Sequence, residues 1–337
     1  MIDCSTEMTN FHADEVRLPE AERAEMRDRR AANQKRLKSG LAKEDKPAPK
    51  RFVKQGSYAM HTMVQHPEKD YDIDDGAMFA KADLVGPRGG DMAALDAREM
   101  VREALDDGSF KTPPVTKTNC VRVLYDAGYH VDVPVYREFQ DAAGKTCIEL
   151  AGAEWRRSDP TELNTWFNDT VIAKSPDAVE GRQMRRVVCL LKAFARSRKT
   201  WNLPSGLIQS VLVDEQYIKR DGRDDEALYD AMKAIHARLL VRLQVHNPVD
   251  CTEELTKGVD DPKARELRDR LQWAVDRLWP VKAGTCTKNE ALRRWNEVFN
   301  TEYFGKYLTE DKAEQSAQKV ATAVAVAAPT APRSWSR

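Results

Sequence analysis

Acidic residues recur at alternate positions in the string Asp70-Tyr71-Asp72-Ile73-Asp74-Asp75-Gly76. On a strand, residues two apart share a face, so Tyr71 and Ile73 can pack in a core while Asp72 and Asp74 line a cleft. Carboxylates held side by side repel unless a cation lies between them. Hard oxygen ligands with room for water and phosphate suit Mg²⁺. A second acidic strand is expected at His130-Val131-Asp132-Val133-Pro134-Val135, with the valines on one face and Asp132 on the other. If the two strands are neighbours, Asp132 completes a set of three carboxylates. Such a set can hold two metal ions for an in-line displacement at phosphorus. Upstream, Gly56-Ser57 offers close backbone approach, main-chain N–H groups and a hydroxyl for phosphate oxygens. Asp75 should point away from Asp74, and Asp70 stands at the strand entrance, so neither is assigned to the site. Taken singly, an acidic string reads as a solvated loop and Gly-Ser as a turn. Their order, and the apolar alternation in both acidic strands, favour the metal-and-phosphate reading.

Several elements must position these groups. A long, charge-dense helix is predicted after Pro19 to about residue 38, with Gly40 as the first glycine in its path. Residues 51–64 and 71–79 read as β-like segments, and 93–105 as a helix. Residues 120–125 and 129–136 alternate as strands around the hairpin turn Asp126-Ala127-Gly128, and 146–150 is a further short strand. After Trp155 the pattern becomes helical. Asp159-Pro160 combines an N-cap with a first-turn proline, and Thr287 with Glu290 forms a capping box.

The 337 residues carry 54 Lys plus Arg and 54 Asp plus Glu. A balance of zero argues against a broadly basic nucleic-acid or membrane binder, while leaving room for local fields of either sign. No apolar run reaches the length of a membrane span, and no leader pattern opens the chain. The six cysteines are widely spaced, which reads as reduced thiols in a cytoplasmic protein and not as a zinc site.

Gly56-Ser57, Asp72-Ile73-Asp74 and Asp132 resemble the pattern of the polymerase-β-like nucleotidyltransferases. The longer string from Gln55-Gly56-Ser57-Tyr58 to Gly76 resembles the bacterial cGAS/DncV-like nucleotidyltransferases (CD-NTases). The likeness runs over about residues 10–305. The run from Asp159-Pro160-Thr161 to Phe167 resembles the start of that family's helical lobe. Lys192 and Pro204-Ser205-Gly206-Leu207 resemble its donor-triphosphate contacts, and Asn247-Pro248-Val249-Asp250 its loop near the nucleobase pocket.

The resemblance implies an α+β fold: a polymerase-β-like lobe of mixed sheet and flanking helices, a helical C-terminal lobe, and a cleft between them. Residues 1–155 would form the catalytic lobe with its long N-terminal helix, 156–310 the helical lobe, and 311–337 a disordered tail. It implies a synthase joining ATP and GTP into a cyclic purine dinucleotide of the cGAMP type, with release of pyrophosphate, in bacterial anti-phage signalling. Two Mg²⁺ ions, or Mn²⁺ in their place, would be held by the catalytic residues Asp72, Asp74 and Asp132. The nucleotide would meet Gln55, Gly56, Ser57, Tyr58, Lys192 and Ser205. Tyr58 reads equally as a core aromatic, Lys192 as a solvated residue beside a core stripe, and Ser205 as a helix N-cap. The implied partners are the two substrates, an effector reached through the diffusible messenger, and a partner for the C-terminal tail. No clustered His and Cys insertion is present, so no DNA activator is expected. A linear nucleotidyltransferase acting on RNA and a cyclic trinucleotide synthase are the alternatives.

Overall fold

The computed structural model describes residues 1–66, 71–125, 128–179 and 181–309. Asp70, the turn residues Asp126 and Ala127, and the tail 311–337 lie outside the described residues. The chain opens with α1 (Ser5–Phe11), which runs into a π-helical turn at His12–Val16, then α2 (Glu20–Lys43). There follow β1 (Arg51–Gln55), the one-turn α3 (Gly56–Ala59), β2 (Tyr71–Ala80) and α4 (Ala94–Leu105). Strands β3 (Val115–Thr116), β4 (Val121–Leu124), β5 (Tyr129–Val133), β6 (Val135–Gln140), β7 (Thr146–Ala151) and β8 (Trp155–Arg157) come next. The rest is helical: α5 (Pro160–Lys174), α6 (Gln183–Arg196), α7 (Gly206–Gln216), α8 (Asp224–Val241), α9 (Pro262–Ala283) and α10 (Lys288–Phe299).

Among the described residues the strands form one mixed sheet in the order β3-β4-β5-β2-β6-β7-β8, with β1 antiparallel to β2. Strand β2 is the organiser. Its first half pairs in parallel with β5 and its second half with β6, while β1 runs along its other edge. Strands β5 and β6 follow end to end, parted at Pro134, whose carbonyl still accepts from the Ala77 N–H at 2.8 Å. Proline lacks the ladder donor, so the 129–136 segment is two strands and not one.

The alternation expected in β2 sets its faces. Tyr71, Ile73, Ala77 and Phe79 are buried in a core closed by Leu37 and Leu41 of α2 and by Ala97 and Val101 of α4. Helix α2 runs through Gly40 to Lys43 and does not stop before it. A Cβ at Gly40 would overlap the Ala104 carbonyl of α4, so this glycine permits close helix packing. The 51–64 segment is also not one strand. The chain leaves the sheet after Gln55, where Gly56 takes a φ of +63°, and turns into α3.

The second core belongs to the helical lobe: Val187, Leu191 and Phe194 of α6, Leu228, Met232 and Ile235 of α8, Leu271 and Leu278 of α9, and Trp295 of α10. The expected cap at Asp159 is present, accepting from Thr161 N at 2.8 Å, as is the Thr287–Glu290 capping box. One feature departs from the expected division at 155. Cys4, Met8, Phe11 and Val16 lie in the helical-lobe core, and so do Met60 and Val64. The N-terminal segment is therefore a strap on the far lobe. The chain crosses between lobes near Arg17–Pro19, with a bridge from Arg17 to Val64, and again between β8 and α5.

Candidate active site

Pairing register builds the site as a row across four strands. Gln55 of β1, Asp74 of β2, Asp132 of β5 and Arg122 of β4 are consecutive partners. One step along, Asp72 pairs with His130. The three predicted carboxylates therefore share one face. Asp132 is buried and accepts two bonds from one guanidinium: Arg122 Nε to Oδ1 at 2.7 Å and Nη2 to Oδ2 at 2.8 Å. The same Nη2 lies 3.3 Å from Asp72 Oδ1, and His130 Nδ1 lies 3.2 Å from that oxygen. Burial, then the Asp132 and Asp72 carboxylates, push the Asp74 carboxyl up to about 7 against the pull of Arg122. Two glycines make room on this face. A Cβ at Gly56 would strike the Asp74 carboxylate, and one at Gly76 would strike the Tyr136 ring, whose hydroxyl donates to Gln55 Oε1 at 2.8 Å. Asp75 turns to the opposite side, where Arg30 Nε and Gln34 Nε2 donate to it, each at 2.7 Å.

The facing wall comes from the helical lobe. Lys192 of α6 is buried, and its ammonium donates to the Thr62 hydroxyl at 2.7 Å and the Thr62 carbonyl at 3.2 Å. Burial, with a smaller push from Arg196, brings its pKa down to about 8. Gly206 lies against the end of this side chain, where a Cβ would crowd Cε. Ser205 caps α7, with Ile208 N donating to its Oγ at 3.5 Å. A cavity of about 820 Å³ joins the two walls. Its lining includes Gln55, Gly56, Ser57, Asp72, Asp74 and Asp132 from one lobe and Lys192, Arg196, Ser205 and Gln209 from the other.

For Tyr58 the structure favours the core-aromatic reading. It packs against the catalytic-lobe core and is not among the cavity-lining residues, because the single turn of α3 carries Ser57 and Tyr58 in different directions. The Asn247-Pro248-Val249-Asp250 segment is likewise outside the lining, and Asn247 is spent within its own loop, Nδ2 donating to Glu253 at 2.6 Å. Two arginines of α6 are structural too. Arg186 is buried between Asp224 and Asp177, and Arg185 donates to the Met60 carbonyl at 3.0 Å. Sequence reasoning missed Arg122, His130, Thr62 and Gln209. Arg122 was within reach: the predicted hairpin about residues 126–128 sets it opposite Asp132. Thr62 and Gln209 carry no motif and are defined by packing between distant segments.

The donor set fits a divalent cation. It is made of hard oxygens, and Asp74 is held where burial and then two neighbouring carboxylates oppose its ionisation, a situation that a cation relieves. As the side chains stand, no three His, Cys, Asp or Glu groups among the described residues enclose an ion, and both Asp132 oxygens are taken by Arg122.

Residues 50–136 match the family described as cyclic GMP-AMP synthase DncV-like, nucleotidyltransferase domain. A curated cyclic GMP-AMP synthase of Escherichia albertii is 29% identical over 214 residues, 59% of this chain and 44% of that protein. The matched part of the chain thus spans under half the length of that relative. Vibrio cholerae DncV cyclic AMP-GMP synthase, a prokaryotic cGAS homolog, is similar with a TM-score of 0.69 at 17% identity, over 89% of this chain and 96% of that one. Escherichia coli CdnC, solved with ATP, is similar with a TM-score of 0.63 at 16% identity, over 89% and 98% of the two chains. The fold is the one these two structures share with the chain: α+β, with a mixed sheet, flanking helices and a helical C-terminal lobe. Residues 50–136 thus resemble a DncV-like nucleotidyltransferase domain, and the chain as a whole shares the fold of DncV and CdnC.

Proposed function

We propose that this protein joins ATP and GTP, with release of pyrophosphate, and closes the product into a cyclic purine dinucleotide of the cGAMP type. The observation that carries this is the facing of two opposed fields across one cavity: Asp72, Asp74 and Asp132 on the sheet, Lys192 and Ser205 on the helices. Asp72, Asp74 and Asp132 would hold two divalent ions, Mg²⁺ or Mn²⁺. Such ions lower the pKa of an attacking hydroxyl and neutralise charge on the triphosphate. The protein's own groups do the rest. The Gly56 backbone and the Ser57 hydroxyl hold phosphate oxygens at the sheet end. Lys192 supplies a buried point charge and Ser205 a hydroxyl for the outer phosphates. Gln55 is braced by Tyr136 and edges the site beside Asp74. Support also comes from a neighbour of the same fold: Vibrio cholerae DncV has been solved with the linear intermediate pppA(3′,5′)pG.

In a cell this activity would be cytoplasmic and part of anti-phage signalling, acting on an effector through a diffusible messenger and needing no DNA activator. The tail beyond residue 310 would be the place for a protein partner. The test is direct. Full-length protein with ATP, GTP and Mg²⁺, without primer, should yield a phosphatase-resistant product whose mass is that of a cyclic dinucleotide, and Asp72→Asn with Asp74→Asn should abolish it, a fall of at least about 10³-fold. Product formed only when RNA is added would replace this reading with a linear nucleotidyltransferase. A cyclic product of three nucleotides would keep the site and change the ring.

A further inference from the structure

A metal ion bound at Asp132 would share that carboxylate with the Arg122 guanidinium, which donates to both of its oxygens. The fork is bidentate, at 2.7 and 2.8 Å, and the same guanidinium reaches Asp72 at 3.3 Å. Arg122 thus sits where two of the three carboxylates meet. A planar guanidinium is matched to this geometry, and it stays charged at any working pH. Its own pKa is raised further, first by the Asp132 hydrogen bonds. Its position is set by the β4–β5 register, which places Arg122 opposite Asp132, so the contact is a property of the sheet.

We propose that Arg122 is a positioning residue for metal loading. It acts as a counter-cation that holds Asp132 and Asp72 and competes with divalent ions for them. This inference rests on the metal-binding reading of Asp72, Asp74 and Asp132. A plain brace for the β4–β5 hairpin makes a different prediction. Removing a brace weakens folding and metal binding together, whereas removing a competitor weakens the metal-free fold and strengthens metal binding.

The test uses the full chain without nucleotide. Mn²⁺ binding is followed by the electron paramagnetic resonance signal of the free ion, and thermal unfolding is measured in chelator. Arg122→Met keeps the aliphatic stem. It should bind Mn²⁺ about tenfold more tightly than the parent while its Tm in chelator falls. Arg122→Lys, a point charge without the fork, should gain about threefold, and it carries the test alone if Arg122→Met does not fold. Asp74→Asn should remove Mn²⁺ binding from the parent and from either Arg122 variant. If a folded Arg122 variant binds Mn²⁺ no more tightly than the parent, yet Asp74→Asn still removes binding, the competitor role is wrong and the metal site stands. If Asp74→Asn leaves Mn²⁺ binding intact, both fall.

Discussion

Gly56 shows how little freedom single residues have at this site. It has a φ of +63° and its α-hydrogens face the Asp74 carboxylate, so a side chain here meets backbone strain and overlap at once. Gly56→Ala should cost about 1–2 kcal/mol in urea unfolding and reduce turnover far more than that loss of stability explains. Lys192 makes a second point at this scale. Its pKa of about 8 in the free protein means that it is half neutral near pH 8. A triphosphate beside it favours the charged form, so the uptake due to Lys192, read as parent minus Lys192→Met, should be about half a proton on binding at pH 8 and close to none at pH 6.5. Calorimetry on both proteins in two buffers of different ionisation enthalpy measures this. The carboxylates were legible in the sequence because strand alternation and core-forming neighbours mark them directly. Tyr58 was left between cleft and core because one helical turn separates neighbours by a large angle, and no local signal says which of the two meets the cavity.

At the scale of elements, the join of α1 to the π-helical turn explains a buried, near-neutral imidazole. His12 is almost fully buried, and burial, with Arg186 and Arg17 nearby and Asp224 opposing them, lowers its pKa from 6.5 to about 4. The unfolded chain therefore binds more protons than the folded one between those values. The stabilising contribution is complete above pH 6.5 and is lost as pH falls toward 4. At pH 5 the difference is about 2 kcal/mol. Urea unfolding of the parent should show this loss on going from pH 7.5 to pH 5, relative to His12→Gln; parallel curves for the two proteins would refute the assignment. Most elements were readable: β2 from alternation, α5 and α10 from their caps, α6 from its 3.6-residue period. Helix α1 was not, because its short polar sequence is helical only when Met8 and Phe11 reach a core built some hundreds of residues later.

For the whole molecule, the N-terminal strap matters as much as the cleft. The Phe11 ring lies 4.6 Å from that of Phe299 and 5.0 Å from that of Phe304 by centroid, and Asp14 accepts from the Tyr303 hydroxyl at 2.5 Å. Phe11→Ala should lower stability by about 3–4 kcal/mol, measured by chemical denaturation, although it is remote from the carboxylates. The two-lobe plan was visible from the change of pattern after Trp155. The crossing of the strap was not, because contacts between chain ends leave no periodic mark on either end.

The same strap bears on how this molecule can be cut and recombined. A chimera that exchanges the helical lobe at the β8–α5 junction alone would join a foreign helical core to the native Met8, Phe11 and Val16, and to Met60 and Val64 from the far side of the cleft. The unit of exchange is discontinuous: residues 1–16 and the 60–64 segment travel with the C-terminal half, and α2 with the sheet.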